Sequence, residues 1–302
     1  MNNSRFLKTA LAIAAVLTLS GLGFSQQGVV TSHQNPLQLA LKRWYAINSS
    51  TTVAVGKDPA GLAFDGANIW VTNFVDGTVT KIRASDAIVL GTFPVGHKPY
   101  NIAFDGANIW VTNQGDNDVM KLRASDGALL GTFTVGSAPN GIALDGANIW
   151  VSNVLGKSIT KLRASDGSTL GTFPVGNEPV GLAFDGAHIW VANSLDNTVT
   201  KLRANDAKTL GTFAVGSAPL GVVFDGTNIW VTNSGGDSVT KLRASDGAVL
   251  GTFAVGSGPG NAAAFDGANI WVPNFSDTTV TKLRASDGKL LGTFTAVPAR
   301  WA

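Results

Sequence analysis

Of the side chains that commonly carry out chemistry, this 302-residue sequence holds three histidines, a single glutamate and no cysteine. Lack of thiols removes thiolate nucleophiles, disulfide frameworks and Cys-ligated metal sites together. His33 precedes the regular part of the chain, and His188 stands in a turn that elsewhere carries Asn. His97 lies in a connection whose sequence varies, and Glu178 occupies the equivalent connection two copies further on. A His and a Glu meeting at one bound molecule would supply base and acid. Proton transfer needs the base within hydrogen-bond reach of the proton, however, and their spacing alone does not place them so. The sequence contains no GxSxG elbow, no HExxH pair and no GxxxxGK[ST] phosphate loop.

The elements that must position these groups are set by repetition. Trp70, Trp110, Trp150, Trp190, Trp230 and Trp271 recur at intervals of 40, 40, 40, 40 and 41 residues, and around them the chain reads PxGLAFDGANIWVTNxxxxTVTKLRASDGxxLGTFxVG. Four short strands fit each copy; in the first they span 61–64, 68–73, 78–84 and 89–95. They are rich in β-branched and aromatic residues and separated by Asp-Gly, Asn-containing and Ser-Asp turns. A four-stranded antiparallel unit cannot bury both faces of its own sheet, so successive sheets must stack, and a 40-residue period favours radial stacking over a linear solenoid. The reading is all-β, a β-propeller. Each Trp, alternating with its neighbours as in Ile69-Trp70-Val71, belongs to the core between sheets rather than to a cofactor cage.

The string IWVTN, followed by TVTKLRASDG and GTFxVG, resembles YVTN-type β-propeller repeats, which are related in pattern to NHL repeats and to streptogramin B lyases. The resemblance covers 51–295. It implies that the strand at 61–64 is innermost and lines a central channel. For function it implies less, since one fold hosts lyases and binding modules alike. The lyases work through a His general base with a Glu and a magnesium ion, a constellation that cannot be matched here residue by residue.

Six copies predict six blades, with an incomplete seventh as the alternative. Residues 51–56, TTVAVG, align with 91–96, GTFPVG, so a strand ahead of the first copy is expected to close the ring beside the sixth blade. In the alternative, 38–46 supplies a degenerate third strand of the seventh blade. Residues 1–25 read as a signal peptide, with Arg5 and Lys8 before an apolar run from Ala10 to Leu19 and small residues after it. The expected organisation is a signal peptide at 1–25, a linker at 26–50 and a propeller at 51–302. The mature protein is expected to be secreted or periplasmic, with no span left in a membrane.

Differences among the copies locate function. The DGAN and ASDG connections barely change, while those after each second strand and between blades vary freely; an up-and-down strand order puts the two variable sets on one rim. The 22 basic and 20 acidic side chains leave a formal charge of +2, and each consensus unit is neutral. A basic nucleic-acid surface is therefore not expected. Outside the consensus, Asp58, Asp76, Asp116, Asp118, Glu178, Asp196, Asp237 and Asp277 all fall in variable loops. They read either as an acidic face that attracts cations or as plain turn residues. After each inter-blade proline stands a residue expected near the channel mouth: Ala60, Tyr100, Asn140, Val180, Leu220 and Gly260. The set suits an uncharged ligand. Phe74 and Phe275 either mark a contact surface or cover the junction of the sixth and first blades.

The candidate ligand-binding residues are Tyr100, Asn140, His97, Glu178, Phe74, Phe275 and Gln114, with no catalytic residue, metal or cofactor assigned. The expected function is an exported, non-enzymatic propeller that binds a protein or small ligand at the channel mouth. A lyase-like enzyme using His97 is the alternative.

Overall fold

The computed structural model describes residues 53–295. The expected signal peptide, the whole of the linker, residues 51–52 and the last seven residues lie outside that range.

The first copy folds into β1 (Pro59–Phe64), β2 (Asn68–Asn73), β3 (Thr78–Arg83) and β4 (Val89–Pro94), an antiparallel sheet in the order β1-β2-β3-β4. Five more sheets repeat it over 99–134, 139–174, 179–214, 219–254 and 264–295, so each blade is one contiguous stretch of chain. The six blades stand in a ring, a six-bladed β-propeller, as the repeat count predicts.

Local chemistry explains the hairpins. Gly66 has φ +97°, a left-handed conformation that suits a residue without Cβ, and the Asp65 carboxylate accepts the backbone N–H groups of Ala67 and Asn68 at 2.9 and 2.6 Å. Strand β2 follows at once. Its Trp70, with Val79 of β3, packs on Ile109, Val111 and Leu122 of blade 2, and the same cluster forms at the next four junctions. The first five indoles are no more than 1% exposed. Burial of an aromatic side chain of this size contributes roughly 4–6 kcal/mol before entropic costs.

Two polar staples accompany the apolar clusters, except between blades 4 and 5, where Ala192 leaves only one. Lys81 Nζ sits 5.0 Å above the Trp70 ring and donates to the carbonyls of Ala124 and Ser125 in blade 2, at 2.7 and 3.1 Å. Lys121, Lys161, Lys201 and Lys241 do the same to the next blade. The Thr72 hydroxyl accepts the Gly61 N–H at 2.7 Å and donates to the Tyr100 carbonyl at 2.8 Å, tying β1 to the blade beyond.

The junction from blade 6 to blade 1 is built differently. Trp271 is partly exposed, Phe294 is 50% exposed and Ile69 of blade 1 is only half-buried, where Ile109, Ile149, Ile189, Ile229 and Ile270 are fully covered. Pro273 stands where Thr72 carries its hydroxyl, and Lys282 keeps its place over Trp271 at 4.6 Å without a carbonyl of blade 1. One extra residue in GNAAAF shortens the innermost strand of blade 6 to Ala264–Phe265.

The expected closing strand at 51–56 lies in part outside the described residues. Leu290–Thr295 already fills the outermost position of blade 6 with residues of its own copy, and 53–55 pair with no sheet, so no described strand is exchanged between the chain ends. Residues 51–52, and the 38–46 segment of the alternative, lie outside the described range. No helix among the described residues is long and apolar enough to cross a membrane.

Candidate ligand site at the channel mouth

The loops sort onto two rims as the strand order requires. Phe74 N–H donates to the Asp58 carbonyl at 2.9 Å, Gln114 N–H to Lys98 at 3.0 Å and Ser194 N–H to Glu178 at 2.9 Å, so each inter-blade connection is bonded to the loop after a second strand. On the opposite rim the DGAN and ASDG turns join through Ala84 N–H and the Ala67 carbonyl at 3.0 Å.

A cavity of about 130 Å³ lies among the innermost strands, lined by Asn101, Gly141, Ile142, Gly181, Leu182, Val222 and Asn261. None of these carries a formal charge. Most copies place Gly two positions after the inter-blade proline because the neighbouring backbone is close: a Cβ at Gly221 would stand 2.8 Å from the Asn261 carbonyl. Asn101 and Asn261 break that pattern and bring amides to the cavity. Copy-to-copy variation draws attention to the residue directly after each proline rather than to these two, whose departure from Gly is the signal in the sequence.

Tyr100 and Asn140 converge here. The Tyr100 hydroxyl meets the side-chain amides of Asn140 and Asn261, bringing together blades 2, 3 and 6, and burial pushes its phenol pKa up despite those two bonds. Phe74 packs edge-on against the Tyr100 ring, centroids 6.0 Å apart. The ring of Phe275 lies against Gly260 on blade 6, and both phenylalanines are half-buried rather than exposed. Asn140 is 7% exposed, and its Oδ1 accepts no hydrogen bond. Asn73, Asn113, Asn153 and Asn274 also leave a buried Oδ1 unbonded; Asn140 is the one whose amide lies beside the Tyr100 hydroxyl.

Other candidates stay apart from this cluster. The His97 side chain is 86% exposed, its Nδ1 lies 2.7 Å from Asp116 Oδ1, and its backbone N–H bonds the same carboxylate. Those bonds hold the Asp116 carboxyl below its ordinary range, the backbone N–H contributing most. Glu178 is half-buried in its inter-blade loop with φ +50°. Gln114 is half-buried beside Lys98. No described contact brings His97 and Glu178 together.

Six of the eight variable-loop acids are spent on turns. Asp76, Asp116, Asp196 and Asp277 each accept the N–H of the residue after an inter-blade glycine, those of Lys57, His97, Asn177 and Ser257, at 2.6–2.8 Å. Asp237 accepts Gly258 N–H at 2.8 Å, and Asp118 accepts the Asn113 amide at 2.7 Å. Among the described residues no group of three His, Asp or Glu side chains could hold a metal.

The other rim carries an open groove of about 620 Å³ between blades 3 and 4, lined in part by Lys161, His188, Arg203 and Asn205. His188 Nδ1 bonds Asp185 at 3.1 Å, doing for that turn what Asn does elsewhere.

Three solved structures share this architecture. Streptogramin B lyase superposes with a TM-score of 0.67 at 18% identity, over 81% of this chain and 84% of that one. The fold is what they share. A functionally unknown protein from Desulfotomaculum acetoxidans gives 0.68 at 16% identity, over 78% and 82% of the two chains. Kuenenia stuttgartiensis hydrazine synthase gives 0.69 at 16% identity, over 82% and 90%. The likeness to streptogramin B lyase-like propellers read from IWVTN therefore holds for architecture. No protein-family model matches the sequence, and no curated protein matches it.

Proposed function

We propose that this is an exported, non-enzymatic propeller that binds a small uncharged ligand, or an uncharged side chain of a protein, at the channel mouth. Tyr100, Asn140 and Asn261 are its polar contacts and Phe74 its apolar wall. One observation carries the reading: Asn140 Oδ1 is buried at the mouth without a hydrogen-bond donor. An N–H or O–H group of the ligand would satisfy it, while the Tyr100 hydroxyl and the Asn261 amide engage an adjacent polar atom. The uncharged cavity lining argues against an ionic ligand, because a charge taken there would find no counter-charge. A cavity of about 130 Å³ is smaller than a typical small-molecule site, so only a fragment-sized group enters and the remainder rests on the rim. The lyase alternative needs a base at the channel, and His97 is turned to solvent against Asp116. Export rests on the amino-terminal sequence.

A thermal-shift panel of neutral amides, polyols and nucleosides tests this reading, since a ligand that binds only the folded state raises the melting temperature. Hits are expected whose shift disappears in both Tyr100→Ala and Asn140→Leu. A panel without hits, or hits indifferent to both substitutions, would overturn it.

A further inference from the structure

We propose that the groove between blades 3 and 4, on the rim opposite the channel mouth, is a second binding site, and that it takes a small carboxylate bearing hydroxyl groups, such as an acidic sugar.

The repeat supplies its own controls. Where His188 stands the other copies carry Asn68, Asn108, Asn148, Asn228 and Asn269, and where Asn205 stands they carry Ser85, Ser125, Ser165, Ser245 and Ser286. Both exceptions belong to blade 4. They lie on different turns of the rim that otherwise barely varies, yet both line one groove of about 620 Å³. That volume is ordinary for a small-molecule site.

The fold does not require the first exchange. Asn68 Nδ2 reaches the two oxygens of Asp65 at 3.2 and 3.0 Å, and His188 Nδ1 reaches those of Asp185 at 3.2 and 3.1 Å, so the turn is held equally well by either side chain. What the imidazole adds is a second nitrogen, Nε2, on the side of the ring away from Asp185. Burial opposes ionisation of Asp185, but bonds from Trp190, Ala187 and His188 outweigh it and keep the carboxylate charged. The proton between them therefore sits on Nδ1, and Nε2 of the neutral ring is an acceptor. A ligand hydroxyl can donate to it.

Arg203 supplies the opposite chemistry. It pairs in register with His188 across the second and third strands of blade 4, so the two side chains start as neighbours on one face. In the other five copies the repeat arginine holds the turn carboxylate three residues on at 2.8–3.2 Å, whereas Arg203 stands 3.6 Å from Asp206, beyond hydrogen-bond range. Its planar fork of N–H donors suits a carboxylate from outside the chain.

Formal charge in the lining agrees. Lys161 and Arg203 stand against Asp145 alone, and the Asp145 oxygens are already engaged by Ala147, Asn148 and Trp150. An anion is favoured. Lys161 bonds the carbonyls of Ala204 and Asn205, which fixes the backbone beneath the exposed Asn205 amide, and Phe184 gives the groove an apolar wall. A carboxylate on Arg203, a hydroxyl on His188 Nε2, a second hydroxyl on Asn205 and a carbon skeleton against Phe184 together describe a hydroxylated acid.

Ligand-observed NMR titration of the full chain with glucuronate, galacturonate, gluconate, glucose and acetate tests this. At least one of the three hydroxylated acids is expected to bind with a dissociation constant of about 1 mM or below, and glucose and acetate at least about tenfold more weakly. The double variant His188→Asn/Asn205→Ser restores residues that five blades already accommodate, so it folds, and it should weaken binding at least tenfold, as should Arg203→Gln. Tyr100→Ala should leave this binding unchanged, which separates the groove from the channel mouth. No saturable binding of any of the three acids at about 20 mM would overturn the proposal. So would glucose or acetate binding as tightly as the acids, or affinity that survives the double variant but is lost in Tyr100→Ala.

Discussion

The indole Nε1 of Trp70 donates to Asp65 Oδ2 at 2.8 Å, and the same bond recurs in all six blades at 2.7–2.8 Å. A carboxylate that seems from sequence to make only a Gly turn therefore also anchors the largest side chain of the core. The other Asp65 oxygen accepts the backbone of Ala67 and Asn68. Turn, strand and inter-blade packing are thereby fixed by one group, which accounts for the low variation of DGANIW from copy to copy.

Replacing Asp145 with Ala isolates this role. The substitution leaves the buried Trp150 Nε1 and the turn N–H groups of Ala147 and Asn148 without their acceptor. Loss of a charged acceptor from a buried donor costs about 1.5–3 kcal/mol. Urea denaturation should show a loss of that size with an unchanged slope, and a change under 0.5 kcal/mol would refute the assigned role.

Acid should unfold the propeller through the same carboxylates. Burial opposes ionisation of Asp266, but bonds from Trp271, Asn269 and two backbone N–H groups outweigh it and hold the pKa at about 2. Asp65, Asp105, Asp145, Asp185 and Asp225 are depressed in the same way. A carboxyl whose folded pKa lies below its unfolded value of about 3.9 stabilises the fold above that pH, and the benefit is lost as pH falls through the folded pKa. Stability measured by denaturant should be flat above about pH 5 and fall steeply between about pH 4 and 2. A protein equally stable at pH 7 and pH 2.5 would contradict this.

Much of this was legible in the sequence and some was not. A fixed Trp interval gave the blades, and β-branched runs gave the strands to within two residues. Turn residues told which rim would vary. Tyr100 and Asn140 were found because the residue after each proline differs from copy to copy. Asn261 was missed, since its approach to Tyr100 depends on blades 2 and 6 facing one another across the axis, a distance no local pattern encodes. His97 was legible only as a type: that its ring turns toward Asp116 is a matter of side-chain geometry. The Lys of TKLR looked like half of a neutral charge pair, whereas only the Arg of each copy meets the turn carboxylate, as Arg83 meets Asp86 at 2.8 Å.

That lysine gives a prediction of its own. Lys161 Nζ is taken from water to bond the carbonyls of Ala204 and Asn205 at 2.6 and 3.3 Å, above the Trp150 ring at 4.8 Å. Lys161→Met retains the stem and its packing but leaves two carbonyls without a donor, so stability should fall by about 1–3 kcal/mol. Lys161→Arg should not rescue it, because a planar guanidinium cannot take the place of a compact ammonium between two carbonyls and an indole. Full stability of the Arg variant would argue that charge alone matters.

Blade 4 lacks one staple, and this allows a test in the direction of gain. In blades 1, 2, 3 and 5 a hydroxyl at the fifth position of the second strand accepts a first-strand N–H and donates to a carbonyl of the next blade; for Ser152 the partners are Gly141 at 2.8 Å and Val180 at 2.7 Å. Ala192 occupies that position in blade 4, fully buried and without a hydroxyl. Ala192→Ser adds one oxygen where Gly181 N–H and the Leu220 carbonyl take the places of Gly141 and Val180. It should stabilise the protein by about 1 kcal/mol, and Ser152→Ala should cost about the same. Because Ser152 bonds the Val180 carbonyl and the new hydroxyl would bond the Gly181 N–H of the same peptide group, the two effects should couple rather than simply add, and the double variant measures that coupling. A loss of stability in Ala192→Ser would mean that blade 4 packs too tightly to admit the oxygen, and that its junction with blade 5 holds through the Trp190 cluster and the Lys201 ammonium alone.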